Sequence, residues 1–204
     1  MLITDGVGDP HRIEAIVRAA IAGGVRCVQL REPRWSARAL LRCCEQLTPF
    51  FDRVGGLLLV NDRLDVAATR VAHGAQIGHR SLPPDLAREI VGPHLLLGFS
   101  AHDQRELDQA ADAGCDFALL SPVWPTSSKP GAAFLGPSRA GQLTAAARLP
   151  VIWLGGVDVD TASQLRGVPA AQRAIGVAVR SAIMQSTDPE AATRALLAAI
   201  AGAD

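Results

Sequence analysis

The sequence has no excess of charge of either sign: Lys plus Arg number 20 and Asp plus Glu number 20, so the formal net charge is zero. Nucleic acid and anionic membrane surfaces both select a basic excess, so neither is expected as a partner. The chain also lacks an unbroken apolar run approaching the roughly 20 residues that cross a bilayer, although 49% of its residues are hydrophobic. Its start, MLITDGVGDP, has no basic segment leading into a long apolar one, so no signal peptide is expected and the location reads as cytoplasmic. Cysteine is scarce. Cys27, Cys43, Cys44 and Cys115 form no C-x-x-C pair, and the reading is buried or half-buried thiols in a reducing compartment. No His/Cys/Asp group has zinc-ligand spacing, and chain order alone assigns no Ser–His–Asp set. Linkers, low-complexity stretches and charge blocks are absent too, which leaves residues 1–204 as a single expected domain with a sizeable core.

What is present is an alternation. Short β-like runs occur at Leu2–Thr4, Cys27–Arg31, Leu57–Val60, Ala75–Ile77, Leu95–Ser100, Phe117–Ser121, Val151–Leu154 and Ile175–Val179. They are near-continuously apolar, as strands covered on both faces are. Between them the apolar residues follow helical spacing: Ile13, Ile16, Val17, Ala20 and Ile21 in one stripe, Leu40, Leu41, Cys44 and Leu47 in another. Helix starts are marked by Ser36, by Pro83-Pro84 and by Asp103, whose helix stops at Gly114; Asp188-Pro189 opens a closing helix. Eight strand–helix units in this length predict an α/β fold, a closed (β/α)8 TIM barrel. A doubly wound open sheet usually has a Gly-rich turn after its first strand, and VGDPH is not one.

In such a barrel the site lies where the strands end. The strand ends read Gln29-Leu30-Arg31-Glu32-Pro33, Asn61-Asp62-Arg63, Gly78-His79-Arg80-Ser81 and Ser100-Ala101-His102, then Ser121 through Gly131, Gly155-Gly156-Val157 and Val179-Arg180-Ser181. Gly155 and Gly156, with a short helix opening at Ser181, would let backbone N–H groups converge on an anion; the alternative is that the glycines only turn the chain. Thr126, Ser127, Ser128 and Lys129 suit phosphate oxygens, or else form a solvated loop. Arg31 and Asp62 read either as a structural ion pair or as an anion holder and a cation holder. His79 reads evenly as site residue or loop residue, His102 as a capping or packing residue, and His11, His73 and His94 as solvated surface. Trp124 and Trp153 read as core or pocket wall.

Taken together, QLRE, VNDR, GFSAHD, SPVWPTSSKPG, WLGGVD and GVAVRSAI resemble, in order and spacing, the thiamin phosphate synthase/TenI superfamily over nearly the whole chain. The resemblance implies a (β/α)8 barrel, often a homodimer. Its synthases join hydroxymethylpyrimidine diphosphate to thiazole phosphate with Mg²⁺ and release diphosphate; TenI-type members tautomerise thiazole phosphate with a general base. Position by position, the resemblance implies that Gln29 and Arg31 contact pyrimidine and diphosphate, with Asn61 beside them. It places Mg²⁺ on Asp62, diphosphate on Ser100, and the phosphate loop on Thr126, Ser128 and Lys129. Gly155, Gly156, Arg180 and Ser181 lie where the thiazole phosphate is held. Three positions depart from the family patterns. Pro33 stands where the synthase has a lysine, Ser81 where it has a second metal-binding aspartate, and Pro122 where the tautomerase has a histidine. The reading is therefore a TenI-like thiazole phosphate protein, with His79 as candidate base, Arg31 and Lys129 as catalytic cations, and a weakened Mg²⁺ site. The alternative is a divergent synthase, and a second alternative is a non-catalytic regulator that binds a phosphorylated metabolite.

Overall fold

The computed structural model of the chain describes residues 1–126, 131 and 133–201. Eight parallel strands follow one another round a single sheet: β1 (Leu2–Ile3), β2 (Cys27–Leu30), β3 (Leu57–Asn61), β4 (Gly74–Ile77), β5 (Leu96–Ala101), β6 (Phe117–Leu120), β7 (Val151–Leu154) and β8 (Gly176–Ala178). The ring closes where Ile3 N donates to Val179 O (2.8 Å) and Val179 N donates to Met1 O (2.9 Å). This is the (β/α)8 barrel. Several strands, β1 and β8 among them, are shorter than their apolar runs suggest. Thr4 has left β1 but still donates its N–H to Gln29 O (3.1 Å).

The helices are α1 (Pro10–Ala22), α2 (Ala37–Val54), α3 (Leu64–Ala67), α4 (Pro84–Val91), α5 (Gln104–Asp112), α6 (Gly136–Ala146), α7 (Val159–Ser163), α8 (Ser181–Met184) and α9 (Pro189–Ala201). Two 3₁₀ turns, Gln164–Gly167 and Ala170–Gln172, extend the connection after α7. Starts and stops follow local chemistry. Asp9 accepts from the N–H groups of His11 and Arg12, and Ser36 from Ala39. Gly55 ends α2 in the left-handed region, at φ 61°. α1 turns Ile13, Ile16 and Val17 onto the barrel, and burying each contributes about 1.5–3 kcal/mol.

Strand periodicity separates two cores. Val28, Leu30, Leu58, Val60, Leu97 and Ala118 face the helices. The opposite set fills the barrel, with Ile3, Leu59, Phe117, Leu119 and Ala178 at its apolar centre. The same inward rows carry Gln29, Asn61, Gln76 and Ser100 toward one end. Gly98 sits among them because a Cβ there would lie 2.1 Å from Gln76 Oε1 and 2.2 Å from Phe117 Cζ. Its bare backbone makes room for both side chains.

One surface expectation is corrected. His73 is half-buried: its Nδ1 accepts from Leu58 N (2.9 Å) and its Nε2 lies 3.0 Å from Asp52, tying β3 to α2. Its neighbours along the chain give no sign of this, because both partners come from other elements. His11 and His94 are exposed, and Trp153 is fully buried with its N–H on Thr144 Oγ1 (2.8 Å).

Candidate active site

A cavity of about 890 Å³ opens at the C-terminal strand ends. Its floor is apolar, formed by Ile3, Leu119, Leu154 and Ala178. One wall holds Gln29, Arg31, Asn61, Asp62, Ser81 and Ser100; another holds Gly155, Gly156, Arg180 and Ser181. Thr126 and His79 also line it. Because β3 and β7 are four strands apart in the closed ring, the first two walls face each other. Ser128 and Lys129 lie outside the described residues.

The first wall is a hydrogen-bond chain. Gln29 Nε2 donates to Asn61 Oδ1 (2.6 Å), and Asn61 Nδ2 donates to Asp62 Oδ2 (2.7 Å). The Ser81 hydroxyl donates to Asp62 Oδ1 and accepts from Gly78 N (2.9 Å). Asp62 adopts φ 61°, unusual for any residue but glycine and most tolerated in Asp and Asn. Gln76 donates to Ser100 Oγ (3.1 Å). Gln29 Oε1 and Gln76 Oε1 are buried acceptors with no partner among the described residues. Sequence reasoning missed Gln76 because it sits inside an apolar run; its inward alternation with Gly74 and Gly78 is the signal that places it. Arg31 forms no ion pair with Asp62; its backbone N–H donates to the buried Thr4 hydroxyl (2.8 Å), and its side chain lines the cavity.

The opposite wall is backbone. Gly156 has φ 67°, and a Cβ there would lie 2.2 Å from Pro125 O and 2.9 Å from Trp124 Cβ. The glycine is thus required by the loop after β6 as well as by any approaching anion, which widens the sequence expectation. The Thr161 hydroxyl donates to Gly156 O (3.0 Å), and Asp158 with Thr161 forms a capping box that opens α7. α8 begins at Ser181; Ile183 N and Met184 N donate to Arg180 O (3.3 and 2.9 Å), so only the N–H groups of Ser181 and Ala182 have no helical partner. Arg12 clamps the far end of α8: it donates to Met184 O (2.7 Å) and makes a paired contact with Asp5 (3.1 and 2.8 Å).

Between the walls, strand ends β4 and β5 bring three side chains together that sequence spacing did not connect. His79 Nε2 lies 3.2 Å from His102 Nδ1 and 3.2 Å from Glu106 Oε2, and His102 Nδ1 lies 3.0 Å from the same oxygen. His102 is therefore more than a residue at a helix start. Glu106 was missed because its partners come from two neighbouring strand ends.

Comparison with known proteins follows the same lines. The family model described as thiamine monophosphate synthase matches residues 1–183. A putative thiamine-phosphate synthase of Geobacter sulfurreducens is 41% identical over 187 residues, covering 90% of this chain and 85% of the relative. The thiamine-phosphate synthase of Roseiflexus castenholzii is 38% identical over 198 residues, covering 96% and 85%. The solved thiamine phosphate pyrophosphorylase of Pyrococcus furiosus superposes with a TM-score of 0.84 at 27% identity, covering 98% and 94%. These names favour the synthase alternative over the TenI-like reading. Among the described residues, no helix is long and apolar enough to cross a membrane. With a family model matched along most of its length and relatives of 38–41% identity, this chain belongs to the thiamine monophosphate synthase family.

Proposed function

We propose that the chain is a divergent thiamin phosphate synthase. It couples hydroxymethylpyrimidine diphosphate to thiazole phosphate. The thiazole nitrogen forms a bond to the pyrimidine methylene carbon, the methylene C–O bond breaks, and diphosphate leaves with the electron pair. The observation that carries this reading is the pair of facing polar walls above one apolar floor. Two anionic substrates can be held there with their rings against each other. Gly155, Gly156, Arg180 and Ser181 hold the thiazole phosphate, and the family resemblance assigns Thr126, Ser128 and Lys129 to phosphate oxygens. Gln29, which lines the cavity, meets the pyrimidine, and Arg31 and Ser100 meet the diphosphate.

The donor set beside Asp62 fits Mg²⁺: it is all oxygen, with one carboxylate and the Ser81 hydroxyl. Mg²⁺ keeps several waters and is commonly held by one or two carboxylates together with substrate phosphates. Asp62 and Ser81 would hold it, and when bound it supplies charge neutralisation to the departing diphosphate. Asn61 and Gln29 keep the Asp62 carboxylate aimed. Pro33 and Ser81 leave this wall one cation and one carboxylate short of the family pattern. The rate is therefore expected to be low.

A second reading, thiazole phosphate tautomerisation, is favoured by one observation: the His79 imidazole lines the cavity with a carboxylate behind it. Diphosphate release with both substrates and Mg²⁺ tests the first reading. Asp62→Asn should lower it about 10²–10³-fold, and Pro33→Lys with Ser81→Asp should raise it only when Mg²⁺ is present. Tautomerised thiazole phosphate with no diphosphate release would replace the synthase reading with the second.

A further inference from the structure

The trio His79, His102 and Glu106 has a geometry that its hydrogen bonds do not fully account for. The three facing atoms form a nearly equilateral triangle with sides of 3.2, 3.2 and 3.0 Å. Ligands about 2.0–2.1 Å from a tetrahedral ion stand about 3.3 Å from one another. The triangle thus matches one face of a metal-centred tetrahedron.

As a set of hydrogen bonds the same arrangement is crowded. Glu106 Oε2 takes the His102 backbone N–H (2.7 Å), His102 Nδ1 and His79 Nε2, while the two ring nitrogens also face each other. If both rings donate to the carboxylate, two N–H hydrogens crowd one oxygen. If one ring accepts from the other, one donor to the carboxylate is lost. A cation at the centre resolves this, since both nitrogens then present lone pairs.

The ligands are also held in place. His79 packs edge-on against Phe99, with ring centroids 5.5 Å apart at 74°. Glu106 stands in the first turn of α5, where Asp103 accepts its backbone N–H (2.9 Å), and its side chain is only 13% exposed. With neutral imidazoles the trio carries one negative charge.

We propose that His79, His102 and Glu106 bind a borderline divalent cation such as Zn²⁺, with its fourth position open to the cavity that His79 and His102 line. Two imidazoles and one carboxylate suit Zn²⁺, Co²⁺ or Ni²⁺ better than Mg²⁺, which prefers oxygen alone and is better served by Asp62. The fourth position takes water or an oxygen of the bound phosphorylated ligand. The proposal is compatible with the synthase reading, and it takes the His79 Nε2 lone pair away from the base role that the tautomerase reading needs.

The test uses the full chain freed of metal by a chelator. Titration with Co²⁺ should give the visible absorption of a four-coordinate ion at one equivalent, and Zn²⁺ should displace it. His79→Ala and His102→Ala should each weaken binding by at least ~100-fold, because losing a direct ligand costs no less than losing its supporting partner. Glu106→Gln, which keeps shape and packing, should do the same and guards against a folding defect in the alanine variants. Asp62→Asn should leave the absorption unchanged. Failure to bind stoichiometrically, or binding that survives both histidine substitutions, would overturn the proposal. So would binding that is lost in Asp62→Asn.

Discussion

Replacing Gly156 with alanine tests the packing that shapes the anion-holding wall. Two costs are built into the position. The backbone has φ 67°, which costs a non-glycine residue about 1 kcal/mol. The new Cβ would also stand 2.2 Å from Pro125 O, so the peptide after β6 must retreat by about an ångström, and overpacking of this kind costs about 1–3 kcal/mol. The sum is about 2–4 kcal/mol, or about 5–15 °C in Tm for a chain of this size. Gly55 supplies the control. It has φ 61°, and a Cβ there meets nothing within 4 Å, so Gly55→Ala carries the backbone cost alone, about 2–4 °C. Thermal unfolding followed by circular dichroism measures both. Calorimetric titration with thiazole phosphate should show binding lost in Gly156→Ala and kept in Gly55→Ala. Equal melting temperatures in the two variants would refute the steric argument. Unchanged ligand affinity in Gly156→Ala would remove this wall from the site.

Arg12→Met should cost about 2 kcal/mol, because it leaves the Asp5 carboxylate and the Met184 carbonyl without their donor; chemical denaturation measures it. Burial pushes the Asp5 carboxyl up, but the Arg12 guanidinium and the Val7 N–H together outweigh that and hold it below its ordinary value. The tie is therefore fully present above roughly pH 4 and lost as pH falls through the lowered value, and Arg12→Met should flatten this part of the acid-unfolding profile. Burial raises the thiols of Cys43 and Cys44 to about 12 and those of Cys27 and Cys115 to about 11. Alkylation at pH 8 should be slow in the folded chain and fast in denaturant, as read by mass spectrometry. Lys129 is the chain's one lysine, and saturating thiazole phosphate should protect it from acylation; equal labelling with and without ligand would place it away from the phosphate.

Much of the barrel was legible because a strand covered on both faces must be apolar along its whole length, and runs such as LLLV and FALL have no other use in a chain of this kind. The mouth was legible in part, since polar residues after each run can only sit at the strand ends. What the sequence concealed depends on contacts between units. Gln76 lies within an apolar run, and only the pleat, in register with Asn61 and Gly98, turns it inward. His79 and Glu106 are far apart in sequence and meet because β4 and β5 are neighbours and α5 returns its first turn over them. His73 looked like solvated surface because the strand N–H its ring caps is supplied by Leu58, from another unit of the chain. Gly156 looked like an anion-binding glycine, and the packing of Pro125 against it emerges only once β6 and β7 are paired.

The left-handed backbone at Asp62 constrains how this family member can drift over evolutionary time. Asn and Gly are single-base changes from an Asp codon, and both accept that conformation at little cost. Ala, Val and Glu are equally near in the genetic code but pay the steric penalty, and β-branched Val pays most. Mutations that discard the carboxylate are therefore the ones the scaffold tolerates best. A lineage can lose charge at this strand end in one step without losing the barrel. A descendant carrying Asp62→Asn or Asp62→Gly would keep the cavity, the facing backbone wall and the neighbouring imidazoles, ready to be selected for chemistry that needs no acid at that corner.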